Sequence, residues 1–199
     1  MERKRSVMKS LKFHVRGLVP CLMHNGQLAD PLNKWAVELK RVTAKRKKTE
    51  DDIVEMARIE HAAGLYLDAN DENPQWPSMN IMAMVCAGAR KSKEGKVAQS
   101  GILVVGHAPL IYKGPKTITG LWDDKRFVDR SKVKVGQASV MRTRPIFHDW
   151  ELKFEIEYSP DLVQRDRLEE WVEVAGRQVG LSDWRPYYGR FEVVEVTES

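Results

Sequence analysis

The feature that most constrains the fold is an alternating segment near the end of the chain, at positions 150 to 158. Every second residue is apolar, and charged residues occupy the positions between them: the apolar set is Trp150, Leu152, Phe154, Ile156 and Tyr158. Side chains of a β-strand point alternately to the two faces of its sheet. The pattern therefore predicts a strand with one face in the core and one in solvent.

Similar patterns surround this strand. A helical stripe follows Asp161, and an alternating segment at 190 to 196 closes the chain. Near the start, Leu11, Phe13 and Val15 alternate with polar residues, and a helix after Pro77 leads to a short apolar strand at 102 to 105. This order of two split strand–helix–strand halves predicts an α+β fold with a ferredoxin-like or RRM-like antiparallel sheet.

Two helices are predicted between the first strand and residue 65. Asp30 with Pro31 is typical of a helix start, and Thr49 with Asp52 resembles a capping box. Gly64 is typical of a helix end, and a short strand is predicted at 65 to 67. We therefore predict a single RRM-like domain over residues 1–199, with residues 27–65 forming a helical insertion within it.

Composition limits the class of protein. The chain has 199 residues and only two cysteines, which excludes a disulfide framework and a four-cysteine zinc site. No leader-like or membrane-spanning apolar run is present, so we expect no membrane partner and a cytoplasmic location. Cys21 and His24 form only half of a metal site, and no motif for nucleotide hydrolysis or a nucleophilic serine occurs. We predict no cofactor, no metal, no catalytic residues and no enzyme activity, although His24 leaves open a general-base role.

The charge is unevenly distributed along the chain. The net charge is +5, yet residues 149 to 199 hold 13 acidic and 6 basic residues, so the rest is strongly basic. Such polarity suits binding to a phosphate backbone and also head-to-tail contact between copies. The expectation is that the basic side chains converge in the fold into one cationic track.

Three basic groups are the candidate nucleic-acid contacts. The first is a row on the first strand, formed by Lys12, His14 and Arg16. The second is a helix C-terminus with its following loop, with Lys40, Arg41, Lys45, Arg46, Lys47 and Lys48. The third is a pair on a later strand, Arg142 and Arg144. Each has a plain alternative, namely a solvated sheet face or cations that complement the helix dipole. Trp184 and Tyr187, with Arg185 between them, are candidates for stacking on bases, or else cover a core edge.

Two stretches resemble the RAMP group, which includes RNA-binding backbone subunits of CRISPR effector complexes. They are the segment from Gly17 to Asn25 and the loop from Gly180 to Phe191. The whole chain is also similar to a set of short phage proteins of similar length. The resemblance implies an RRM-like core that grips a nucleic-acid backbone and polymerises along it. His24, in the first of these stretches, is a further candidate nucleic-acid contact, or else a turn histidine that bonds to the backbone.

The sequence thus predicts a nucleic-acid-binding protein, with single-stranded DNA or RNA as partner and a homo-oligomer or filament along it. Two alternatives stay open. One is a structural or assembly protein of a virus particle, and the other is a phage effector that acts on a host CRISPR-type complex.

Overall fold

The computed structural model describes residues 7–70 and 72–198, apart from the side chain of Val135. Short 3₁₀ turns lie at Gly26–Ala29, Arg90–Ser92 and Lys125–Phe127, and a π-helical turn at Ala175–Val179 extends the last helix. The strands and helices, in chain order, are β1 (Lys9–Gly17), β2 (Cys21–Leu22), α1 (Lys34–Thr43), α2 (Glu50–Gly64), β3 (Gln75–Trp76), α3 (Ser78–Ala89), α4 (Gly95–Gly101), β4 (Ile102–Val105), β5 (Ala108–Tyr112), α5 (Ile118–Asp123), β6 (Val128–Val135), β7 (Ala138–Phe147), β8 (Trp150–Tyr158), α6 (Arg165–Val174) and β9 (Phe191–Glu198).

The chain forms two compact units. The first holds the chain up to Cys21, then Gln75–Tyr112, and then the chain from Asp149 onward. The second holds Leu22–Pro74 and Lys113–His148. We predicted one domain with an insertion at 27–65; in the structure both predicted helices lie in the second unit, together with a segment from between β5 and β8.

The first unit carries an antiparallel sheet with the strand order β3-β5-β8-β1-β9. Strand β4 also pairs with β8, so β4 and β5 lie one after the other along the same edge of β8. The order β9-β1-β8-β4/β5 is that of a ferredoxin-like sheet in which one strand is interrupted. The prediction of an α+β fold with an RRM-like antiparallel sheet is confirmed.

One face of this sheet forms the core of the first unit. Leu11 and Phe13 of β1 are buried, and the Phe13 and Phe154 rings stack with centroids 5.5 Å apart. Helices α3 and α6 contact each other closely at Gly88 of α3. A Cβ added there would lie 2.3 Å from the carbonyl oxygen of Trp171 on α6. The alternation of β1 and β8 therefore determines which face the helices cover.

The second unit packs α2 against a β-hairpin. Its sheet has the order β2-β7-β6, and β6 and β7 pair from Val128↔Pro145 to Val135↔Ala138. The start of α2 has the predicted capping box, in which the Thr49 side chain accepts from the Asp52 amide and Asp52 accepts from the Thr49 amide. Lys45 donates to the Asp52 carboxylate, and this bond contributes most to lowering the pKa of Asp52.

Several element boundaries differ from the predictions. Asn33, not Asp30, caps α1, because residues 26–29 form a 3₁₀ turn first. The predicted strand at 65–67 is only an isolated bridge between Leu67 and Pro74. The segment from 113 to 129, for which no helix or strand is predicted from the sequence, contains α5 and the start of β6. Short-range signals indicate that a turn or helix is near, but neighbouring contacts select its first residue.

His61 is a buried titratable group in the second unit. Its side chain is fully buried on α2, and Nε2 donates to the Phe127 carbonyl oxygen over 3.0 Å. Burial lowers its pKa to about 4. The imidazole is therefore neutral in the folded protein near pH 6, where an unfolded chain still takes up protons.

Replacing Gly88 with Ala should destabilise the first unit, because α3 and the turn after α6 leave no space for a methyl group. We expect a loss of about 1–3 kcal/mol in the free energy of unfolding. Chemical denaturation followed by circular dichroism measures it. Gly26→Ala is the control, since nothing lies within 4 Å of an added Cβ there; equal effects of the two changes would contradict the close packing.

Stability should depend on pH through His61. Its folded pKa lies below the unfolded value, so the unfolded state binds more protons between pH 6.5 and 4, and stability falls as pH falls through that window. The slope from this group is at most about 1.4 kcal/mol per pH unit. Denaturation curves at pH 7 and 5 should show this slope in the parent and in His24→Gln, and a shallower one in His61→Gln; identical slopes in all three would refute it.

Candidate nucleic-acid interface

The open face of the first sheet carries the predicted basic row. Lys12 and Arg16 of β1 are exposed and His14 is half-buried, opposite to the core side of the strand. The register with β8 pairs them with Glu155, Lys153 and Glu151: Lys12↔Glu155, His14↔Lys153 and Arg16↔Glu151. Directly opposed residues share a face, so acidic side chains alternate with the basic ones.

Two members of the row already bind a carboxylate. His14 Nε2 donates to Glu151 at 2.7 Å, and Arg16 lies 3.3 Å from the same carboxylate. Arg16 also approaches Glu192 of β9 at 3.9 Å. The hydrogen bond from His14 contributes most to lowering the pKa of Glu151, and the hydrogen bond from Arg16 contributes next. The predicted basic row is therefore a surface of mixed charge, because β8 and β9 supply carboxylates that the β1 sequence does not reveal.

A shallow cavity of about 370 Å³ lies on this face. Strands β1, β8 and β9 and the break between β4 and β5 all contribute to it, and its charged and imidazole side chains are Lys12, His14, His107, Lys153, Glu155 and Glu195. Cations and carboxylates are mixed here too. The cavity therefore lacks the uniform positive potential that a phosphate chain requires.

An exposed aromatic patch lies on the loop before β9. Tyr187 is 84% exposed and Trp184 is 39% exposed, and with Arg185 they line a cavity of about 890 Å³. The predicted stacking residues are thus accessible and lie together. Flat rings beside a guanidinium are the side chains on which unpaired bases stack.

The two stretches that carry the RAMP resemblance meet at this patch. The Gly189 amide donates to the Pro20 carbonyl, and the Leu18 amide donates to the Arg190 carbonyl, both at 2.8 Å. Gly189 has φ +73°, and an added Cβ would lie 2.5 Å from the Leu181 carbonyl oxygen. Glycine is therefore required where the loop folds back on itself.

The basic helix end predicted at 40–48 is exposed in the second unit. It comprises the last turn of α1 and the loop before α2. Within the described residues, Lys40, Arg46 and Lys47 make no ion pair, whereas Lys45 is paired with Asp52 at 2.6 Å. Lys48 donates to the Lys45 carbonyl, and Arg41 acts electrostatically on Glu55. Most of this cluster remains available to an anionic ligand.

The arginine pair on β7 faces inward. Arg144 is only 5% exposed, and Arg142 binds Glu60 of α2 at 2.6 Å. The other Glu60 oxygen accepts from the Thr143 amide at 3.0 Å. The two arginines do share a face, as predicted, but α2 packs against the β7 strand. Arg144 is therefore removed from the candidate interface, and Arg142 connects the hairpin to the helix.

The opposite face of the hairpin carries the exposed cations. Arg130, Lys132 and Lys134 alternate along β6 and are all exposed. Lys132 is opposite Met141 of β7, whose side chain is also exposed. Successive residues on one face of a strand lie roughly 7 Å apart, on the scale of successive phosphates in an extended strand. We name Arg130, Lys132 and Lys134 the hairpin stripe.

The hairpin stripe is not among the candidate contacts predicted from the sequence. Its signal was present, since three basic residues at two-residue spacing precede Gly136, a turn residue with φ +60°. Whether β6 or β7 presents accessible cations depends on which face of the hairpin α2 covers. The sequence around either strand does not contain this information, because α2 lies far from both in the chain.

The candidate residues divide between the two units. Lys12, His14, Arg16, Trp184, Arg185 and Tyr187 belong to the first unit, and the second contains His24, Lys40, Arg41, Lys45, Arg46, Lys47, Lys48, Arg142 and Arg144. Within the first unit, carboxylates interrupt the expected cationic track. Within the second, the cations of the helix end and those of the hairpin stripe are exposed.

Cys21 and His24, the predicted half of a metal site, gain no further metal ligands among the described residues. Cys21 is buried, and burial raises the pKa of its thiol well above the usual range. His24 is exposed, and its backbone carbonyl accepts from the Tyr66 hydroxyl. Among the described residues, no group of three or more His, Cys, Asp or Glu side chains could hold a metal ion. In the same part of the chain, no helix is both long and apolar enough to cross a bilayer.

Comparison with known proteins adds a structural likeness. No protein-family model matches the chain, and no curated protein sequence matches it. A solved structure that is similar is a chain of the type III-B Cmr-beta complex bound to cognate target RNA, determined by cryo-EM, with a TM-score of 0.51 and 10% sequence identity. The match covers 96% of this chain and 60% of that chain, so this protein spans about three fifths of the length of the structure it resembles. At this identity the likeness shows the fold.

Removing the Glu60 side chain should loosen the contact between α2 and the hairpin. Glu60→Ala leaves Arg142 and the Thr143 amide without their acceptor, which should cost about 1–3 kcal/mol of unfolding free energy. Glu60→Gln keeps an oxygen for the amide and should cost less. Urea denaturation of both variants gives the comparison, and a larger loss for Gln than for Ala would rule out this account.

Proposed function

We propose that the protein binds single-stranded nucleic acid and that its hairpin stripe grips the phosphate backbone. The observation that carries this proposal is the stripe itself: Arg130, Lys132 and Lys134 lie exposed on one face of β6. No ion pair involves them within the described residues. Cations without carboxylate partners are the ones that gain most from contact with a polyanion.

The second unit also supplies a second group of available cations. Lys40 in the last turn of α1, and Arg46 and Lys47 in the following loop, are exposed and free of ion pairs in the described chain. Phosphate contacts of this kind position a nucleic acid without reading its sequence. The proposal is therefore one of backbone binding with little sequence preference.

The aromatic patch of the first unit favours single strands over duplexes. Tyr187 and Trp184 offer exposed rings beside Arg185. Bases paired within a duplex are stacked on each other, whereas bases of a single strand can stack on such rings. We propose that these three residues hold a base of a single strand.

The structural comparison agrees with this proposal in fold. The similar chain belongs to a complex bound to target RNA, and RNA as the partner of this protein is part of the proposal. RAMP-like ancestry, a phage source and assembly of several copies along one strand are likewise proposals, and they rest on the motif resemblance. The proposed role is binding without catalysis.

The triple variant Arg130→Ala, Lys132→Ala and Lys134→Ala tests the stripe. Three lost phosphate contacts should make the salt slope of log K less steep by about 2 and weaken binding by about 100-fold at 0.1 M salt. Fluorescence anisotropy with labelled 20-nucleotide single-stranded RNA and DNA, and with the matching duplexes, at two salt concentrations provides the measurement.

A matched variant separates the stripe from general charge. Lys91→Ala, Lys93→Ala and Lys96→Ala remove the same charge from the first unit and should change affinity much less. No binding of the parent protein to any oligonucleotide at low salt would end the proposal. Stable multimers that form without nucleic acid and survive nuclease would favour the particle-assembly alternative instead.

A further inference from the structure

Helix α3 is apolar on nearly all sides. Its sequence contains only Ser78 and Asn80 as polar side chains before Arg90. One side, with Ile81, Met84 and Val85, is buried in the first unit. A helix that is apolar all round is usually buried all round. The other side of α3 is open, which requires an explanation.

The open side forms the floor of a groove. Met79 is 74% exposed, and with Met82, Ala83 and Cys86 it lines a cavity of about 730 Å³ beside α4. A neighbouring cavity of about 630 Å³ shares Ala83 and continues past Ala87. We name the two together the α3 groove. Its floor residues recur at i, i+3, i+4, i+7 and i+8, so they form one continuous stripe.

The charged side chains around the α3 groove are all cationic. No carboxylate lines either cavity in the part of the chain that the structure describes. The lining cations are Arg90, Lys91, Lys93, Lys96 and Arg185. An occupant of this groove must therefore offer an apolar surface together with negative charge.

The floor separates two kinds of anionic occupant. Nucleic acid bound through its bases needs aromatic rings, and bound through its phosphates it needs no apolar floor. The floor of the α3 groove has methionine, alanine and cysteine side chains and no aromatic ring. Methionine-lined grooves adapt their shape to the apolar face of a bound helix. The geometry favours a protein segment.

We infer that the α3 groove binds an amphipathic helix of a partner protein, with an apolar stripe flanked by aspartate or glutamate. The stripe covers the floor from Met79 to Ala87, and the acidic flanks face Lys93 and Lys96. The site is independent of the hairpin stripe, which belongs to the other unit. It gives the protein a protein-binding function beside its proposed nucleic-acid-binding function.

A displayed library of helical peptides, selected on the immobilised full-length protein, tests this inference without assuming a partner. Enriched peptides should carry apolar residues at i, i+3, i+4 and i+7 with Asp or Glu beside them. Individual peptides are then measured by anisotropy against Met79→Glu and Lys96→Glu. Both changes affect exposed side chains, and thermal melts of each variant confirm that the fold is kept.

Met79→Glu should weaken the selected peptides at least about tenfold, because it places a carboxylate on the apolar floor. Lys96→Glu should weaken acidic peptides and favour basic ones, whereas Lys132→Glu on the hairpin should leave peptide affinity unchanged. Enrichment of no peptide, of peptides without acidic flanks, or of peptides that bind Met79→Glu equally well overturns the inference. Loss of RNA binding in Met79→Glu, as large as the loss of peptide binding, also overturns it and assigns the groove to nucleic acid.

Discussion

The alternation of side chains along paired strands is the constraint on which the structure depends. In each unit a helix covers one face of a sheet, and exposed strand cations such as Arg16 and Lys132 lie on the other face. In the first unit β8 lies between β1 and the β4/β5 edge, with its apolar side toward the core. In the second, α2 covers one side of the hairpin, and Glu60 binds Arg142 there.

This constraint explains why basic residues that look alike in the sequence differ in accessibility. Arg144 is buried on the covered face, whereas Lys132 is exposed on the other face of the same hairpin. On the open face of the first sheet, Arg16 is exposed but faces the carboxylate of Glu151. Availability to a phosphate therefore depends on the strand that lies opposite, and a count of lysines and arginines does not predict it.

The two units offer different chemistry. The second presents cations on a β-strand and at a helix end, which suits an extended phosphate chain. The first presents exposed rings at Trp184 and Tyr187 and, separately, an apolar groove with a cationic rim along α3. A protein with these surfaces can hold a nucleic-acid strand on the hairpin stripe and still contact another protein on the floor of the α3 groove, although Arg185 lines both the aromatic patch and the groove.

The sequence by itself determined the elements whose pattern repeats over many residues: the strands around Phe13 and Phe154, the helices α2 and α3, the capping box at Thr49, and hence the class of fold. It also identified the loop with Trp184 and Tyr187. Only the tertiary structure decided that β6 and not β7 presents free cations, that Glu151 pairs with His14 and Arg16, and that one side of α3 is open. Periodicity is a local property of the chain, whereas the choice of the covered face and of the opposing residue depends on elements far apart in sequence.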